Sequence, residues 1–188
     1  MGTHYFIACK LPYKVKNKLY ELQQAHMQQD CFKKYPERDD LHITLSFFGA
    51  VSEQELKIVC AELDNKIKSH KAFRVTFDRI DTFGQESAPR VWWAGPKPSA
   101  HLTDLYRTVQ DIAGLINKNE HRPFRPHVTL AKKWKGEPVD VYRGPVEPVT
   151  GFIDEVVIYE IHPEKRPMYD IYASYQLSES GENDGTVN

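Results

Sequence analysis

Two short segments hold the side chains best suited to acid–base chemistry: His42-Ile43-Thr44-Leu45 and His127-Val128-Thr129-Leu130. In an extended strand, residues i and i+2 point to the same face. Each segment then presents one imidazole and one hydroxyl on one side and apolar anchors on the other. Two such strands facing each other would set two imidazoles across one small gap. Phosphodiester cleavage uses that arrangement. A neutral imidazole takes a proton from the attacking water, and an imidazolium gives one to the departing oxygen. An ordinary histidine pKa of about 6.5 makes both forms available near neutrality. Threonine hydroxyls can donate to the non-bridging oxygens, where negative charge grows in the transition state.

The pattern exceeds chance. This composition predicts about 0.4 His-x-Thr matches, and three occur. The third, His101-Leu102-Thr103, follows Ser99 at the start of a helical pattern, where i and i+2 do not share a face; it reads as incidental helix surface.

Neighbouring residues supply candidates for binding. Strict alternation puts Ser46 and Phe48 on the His42 face, and Phe48 offers a stacking platform for a base; its alternative is ordinary packing. Arg122, Phe124 and Arg125 form a basic-aromatic cluster just before His127, suited to a phosphate or a base, or a plain surface loop. Trp92 and Trp93 point to opposite faces, so at most one meets a ligand. Alternation places Lys132 opposite His127 and Lys133 with it, and a bulge or strand end could turn either inward. Lys132-Lys133-Trp134-Lys135 also reads as a solvated basic run. The motif strands hold no cluster with metal-ligand spacing, and Asp39 and Asp40 beside His42 are weak evidence for one. Neither metal nor cofactor is expected.

The elements that must position these residues follow from periodicity. Residues 4–11, 41–49, 73–80, 90–95, 127–132, 152–161 and 169–177 read as strands. Residues 14–29 form an amphipathic helix with Val15, Leu19, Leu22 and Ala25 on one stripe. Ser52 and Glu55 make a capping box that opens a second helix to about residue 69. Ser99 caps a third, to about 117, with Leu102, Leu105, Val109, Ile112 and Leu115 buried. The order suggests an α+β fold with largely antiparallel sheets. Each half holds a strand, a long helix and a His-apolar-Thr-Leu strand, which suggests an internal duplication.

The 188 residues fit one domain of two small lobes, residues 1–177, with residues 178–188 a polar, disordered tail. A formal net charge of -1 gives no global field for long nucleic acid. A local patch and a small target, such as a strand end, are favoured instead. Three cysteines, Cys9, Cys31 and Cys60, without a C-x-x-C suggest thiols in a reducing compartment. No leader or spanning segment is read, and Phe6 departs from the myristoylation pattern. A cytoplasmic monomer with no membrane or protein partner is expected.

HITLSFFG and PHVTLAK resemble the paired H-x-T-x signatures of the 2H phosphoesterases, and more narrowly the LigT-like RNA 2′,3′-cyclic phosphodiesterases. FIACKLP, FFGAVSEQ, RVWWAG and RPFRPH extend the resemblance over residues 4–177. It implies a bilobal fold in which two antiparallel sheets flank a central cleft, with helices outside. It implies hydrolysis of a terminal 2′,3′-cyclic phosphate to a 2′-phosphate, with RNA ends or small cyclic nucleotides as partners. His42 would be the proton donor to the leaving O3′ and His127 the proton acceptor. The family is also associated with reversible 2′-5′ RNA ligation. It usually has Arg at the position of Lys132; lysine keeps the charge but loses the bidentate fork. The same cleft could serve 2′-5′ oligoadenylate, another small cyclic nucleotide or an activated carrier phosphodiester. It could also bind an RNA end without turnover, or the chain could be a scaffold with coincidental histidines.

Overall fold

The computed structural model describes residues 2–27, 31–136 and 141–179. The aromatic and β-branched run of β1 (His4–Lys10) ends before Pro12, whose carbonyl receives the first helical N–H, from Lys16, of α1 (Tyr13–His26). A three-residue strand, β2 (Phe32–Lys34), and a 3-10 turn at Arg38–Asp40 lead into β3 (His42–Ala50). The capping box forms as expected and starts α2 (Glu53–Lys66): Ser52 Oγ accepts from Glu55 N and Glu55 Oε2 from Ser52 N. Then follow β4 (Phe73–Gln85), β5 (Ala88–Pro96) and α3 (Ala100–Gly114), the last capped by Ser99. The chain closes with β6 (Val128–Trp134), β7 (Gly144–Ile153), β8 (Glu155–Ile161) and β9 (Tyr169–Gln176).

These strands make an α+β fold of two sheets, ordered β3-β1-β8-β9 and β2-β6-β5-β4-β7, and every ladder between them is antiparallel. The duplicated pattern has a geometric counterpart. In each half the strand before the long helix pairs with the motif strand after it: β1 with β3, Lys10 opposite His42, and β5 with β6, Ala94 opposite Val128. The two motif strands also approach each other, so the sheets meet along a β3–β6 seam.

The helices are exchanged between halves. α1, from the first half, packs on β7 of the five-stranded sheet, and α3, from the second, packs on β3. α2 rests on α3. One continuous core results, joining Ile7, Leu45 and Leu63 to Leu19, Phe77 and Val128. The approach of α1 to β7 is close enough to need glycine: a Cβ on Gly151 would lie 2.3 Å from Val15 Cγ2.

Several expectations shift. The buried stripe of α1 runs through Val15, Leu19 and Gln23, while Ala25 is exposed, because the helix face turns with i, i+4 spacing. Leu115 caps α3 and is exposed rather than buried. Strands β2 and β7 were not expected. β7 carries Pro145 and Pro148, which an edge strand tolerates. Residues 152–161 are not one strand: the chain leaves the five-stranded sheet at Ile153 and enters the four-stranded one at Glu155. Ser178 is tied to the body through Ala72 and His70 backbone groups. Of the expected tail, residues 180–188 lie outside the described residues, as do residues 28–30. Among the described residues, no helix is long and apolar enough to cross a membrane.

Gly151→Ala should destabilise the protein by about 1–3 kcal/mol through overpacking against Val15, and Val15→Ala in the same chain should recover part of the loss by vacating that space. Denaturant unfolding of the two single variants and the double variant measures this; a neutral G151A would mean that α1 shifts freely on β7.

Candidate active site

Each His-x-Thr-Leu segment is interrupted at its leucine. On β3, Ser46 pairs with Ile7 and Thr44 with Ala8, so Leu45 is an extra, unpaired residue. On β6, Ala131 pairs with Trp92 and Thr129 with Trp93, so Leu130 is the extra residue. These are β-bulges, and a bulge reverses which face the following residues occupy. Both leucines are buried in the core. Before each bulge, His and Thr share the seam-side face; after it the alternation is inverted.

That inversion decides the neighbours. Lys132 pairs with Val91, two residues from Trp93, and so shares the face of Thr129, a placement strict alternation had denied it. Phe48 moves the other way. It is 3% exposed in the core, not on the His42 face, and the stacking role read for it there is corrected. Ser46 is likewise fully buried, its hydroxyl without a hydrogen-bond partner among the described residues. The exposed aromatic is Phe47, 50% accessible, which pairs with Phe6 and so lies on the side of Phe6 and His42. A bulge leaves no sequence signal in alternation alone, so Phe47 was missed.

The two histidines are held alike. His42 Nδ1 lies 2.6 Å from the Asp40 carbonyl, and His127 Nδ1 lies 2.7 Å from the Arg125 carbonyl. A carbonyl only accepts, so each Nδ1 carries the proton and each neutral ring keeps Nε2 as an acceptor. His42 Nε2 sits 3.0 Å from Thr44 Oγ1, which donates to it. The ring of His42 is enclosed by Phe6, Tyr159 and Tyr169, and that of His127 by Phe83 and Trp93. Asp40 itself is anchored: its carboxylate accepts from the N–H groups of Met168 and Tyr169.

Burial governs the electrostatics. It drives the His42 pKa down to about 3, against the Asp40 carbonyl bond and with added repulsion from Lys16, Lys132 and His127. His127 is also lowered, by burial and against its bond to Arg125. Lys132 is lowered by burial first, then by Lys34 and Lys133. Lys16, nearly buried, donates to the Asp39 carbonyl at 2.6 Å and adds a second ammonium to the field at His42. Two neutral imidazoles near two lysines make a place prepared for an anion that brings its own charge.

A cavity of about 960 Å³ opens beside His127. Arg79, Phe83, Trp93, Tyr106, Phe124 and Arg125 are among its walls. Phe124 stacks on Tyr106 at 3.8 Å, and the buried Trp93 Nε1 has no hydrogen-bond partner among the described residues. Trp92 goes to the core, its indole bonded to the Tyr142 carbonyl. Arg122 is exposed and outside the cavity walls, and His101 is exposed on α3, stacked on Phe73. Among the described residues, no group of three or more His, Cys, Asp or Glu side chains is placed to hold a metal ion.

Comparison with known proteins returns one family model, described as the 2′-5′ RNA ligase superfamily, over residues 12–162. An RNA 2′,3′-cyclic phosphodiesterase of Bacillus subtilis is 33% identical over 180 residues, covering 93% of this chain and 97% of that protein. One of Geobacillus stearothermophilus is 30% identical over 180 residues, and the chain spans 57% of its length. The crystal structure of E. coli LigT complexed with 3′-AMP shares the fold, with a TM-score of 0.81 at 23% identity, over 94% of this chain and 99% of that one.

Because anion binding favours protonated imidazole while burial holds the His42 ring neutral in the free protein and lowers His127 as well, binding should take up protons. Sulfate, whose charge is constant over this range, should bind more tightly as pH falls from about 8 to 5.5, by up to about tenfold per pH unit for each proton taken up. Calorimetric titration checks this; affinity independent of pH would contradict a neutral His42 in the free protein.

Proposed function

Since this chain belongs to the 2′-5′ RNA ligase superfamily, we propose that it hydrolyses the 2′,3′-cyclic phosphate at an RNA end to a 2′-phosphate, with His42 and His127 as its acid–base pair. The observation that carries this reading is the matched setting of the two imidazoles: each is tied through Nδ1 to the carbonyl two residues earlier, on strands that meet at one seam. The names of the Bacillus and Geobacillus relatives agree with it.

In this reading the cyclic phosphate lies between the two Nε2 atoms. Neutral His127 takes a proton from water as the water oxygen bonds to phosphorus. The P–O3′ bond breaks, and His42 delivers its proton to O3′. His42 enters neutral, since burial depresses its proton affinity. The phosphate anion reverses that balance by charge and hydrogen bonding, so the ring protonates on binding. Thr44, Thr129 and Lys132 neutralise the non-bridging oxygens. Phe47 and the cavity beside His127, with Phe124 and Arg125 in its wall, offer surfaces for bases of the strand. A 5′-hydroxyl in place of water would give a 2′-5′ link by the same bond changes, which is how ligation belongs to this site. No step calls on a metal.

His42→Ala and His127→Ala should each lower kcat by about 10²–10⁴-fold while retaining affinity for the RNA end. Activity on a cyclic-phosphate-ended oligonucleotide should persist in EDTA, and phosphorus NMR should show a 2′-phosphate; a 3′-phosphate product, or loss of turnover on chelation, would count against the mechanism. Phe47→Ala should raise KM by about 5- to 100-fold with little change in stability. Phe48→Ala should instead cost about 3–5 kcal/mol of stability. The reverse pattern would restore Phe48 as the stacking residue.

A further inference from the structure

Two glutamines form a matched pair that the acid–base reading leaves unused. Gln23 on α1 is fully buried, and its Nε2 donates both to the carbonyl of Leu130, at 2.8 Å, and to that of Pro36, at 3.0 Å. Gln110 on α3 donates from Nε2 to the carbonyl of Leu45, at 2.8 Å, and accepts the Glu120 N–H through Oε1, at 2.6 Å. Leu130 and Leu45 are the unpaired residues of the two His-x-Thr-Leu segments. Pro36 and Glu120 lie in the loops that lead into His42 and His127 respectively. Each glutamine thus joins the loop before its own half's histidine to the bulge of the other half's motif strand.

The amide orientations follow from their partners. Gln23 faces two carbonyls, which only an NH₂ group can satisfy, and its Oε1 accepts from Gln24. A reversed Gln110 would set oxygen against oxygen and N–H against N–H. A bulge is a weak point in register, because one extra residue can migrate along a strand and turn every side chain beyond it. A hydrogen bond to the carbonyl of that residue pins it. Beyond the pinned points lie Lys132 on β6 and Phe47 on β3, whose faces strict alternation does not give.

We infer that Gln23 and Gln110 are positioning residues that lock the Leu130 and Leu45 bulges from the opposite half, thereby fixing Lys132 and Phe47 toward the cleft in register with the two histidines. This rests on the proposed reaction only for the identity of the substrate. Neither glutamine is a catalytic residue in this scheme; each acts through the strand it grips.

The test uses Gln23→Met and Gln110→Met, which keep side-chain length and remove the donor. Each should lower kcat/KM for cyclic-phosphate-ended RNA by about 10- to 100-fold, the scale expected for a shift of about 1 Å in a positioned group, at temperatures well below its melting point. Double-mutant cycles supply the readout that general loosening would not move. Gln23→Met should be non-additive with Lys132→Met and additive with Phe47→Ala; Gln110→Met should show the opposite pairing. Losses that follow the unfolded fraction alone, or four additive pairs, would overturn the inference. Should Gln23→Met fail to fold, the Gln110 arm decides by itself. Sulfate affinity gives an arm free of turnover: Gln23→Met should weaken it and lose the further effect of Lys132→Met. If the wild-type chain hydrolyses no cyclic phosphate, the proposed reaction fails while the sulfate arm still decides the clamp.

Discussion

Two sheets can hold a pair of imidazoles at one gap only if the sheets cannot slide past each other, and the exchange of helices supplies that restraint. α1 leaves the four-stranded sheet to seat on β7, with Val15 over Gly151, and α3 leaves the five-stranded sheet to cover β3. Sliding one sheet would drag both helices out of the single core they share. Close-packed interiors resist such shear because they have no free volume to give. The placement of one sheet against the other therefore rests on apolar packing remote from the histidines.

The same burial that makes the site rigid makes it electrically austere. Aromatic rings enclose both imidazoles, and two lysines stand near His42. Burial and that positive field hold the His42 ring uncharged in the free protein, and burial lowers His127 as well. In the proposed reaction a bound phosphate would reverse the sign of that argument, its charge and ring protonation stabilising each other.

Much of this was legible in residue order. Both His-x-Thr pairs, their strands, three helices with two of their caps, and the antiparallel α+β layering follow from periodicity and capping chemistry. What alternation missed has one physical source: a bulge adds a residue that the hydrophobic pattern does not mark, because Leu45 and Leu130 look like ordinary inward-facing residues. Hence Phe48 was placed in the cleft and Phe47 overlooked, while Lys132 was kept only by family resemblance. Strand β7 was hidden by its prolines, which an edge position tolerates, and β2 by its brevity. Gln23 sat unnoticed because a glutamine in a helix reads as a solvent residue until a tertiary contact buries it.

Asp40 joins parts of the chain that sequence keeps far apart. Its main-chain oxygen receives the His42 ring, and its carboxylate receives the peptide N–H groups that begin β9, more than 120 positions later. A single residue is thus a hinge pin common to an early strand and the last one. Any displacement of the closing hairpin reaches the imidazole through this one residue, by its carboxylate on one side and its carbonyl on the other. The start of β9 is in this sense part of what aims His42.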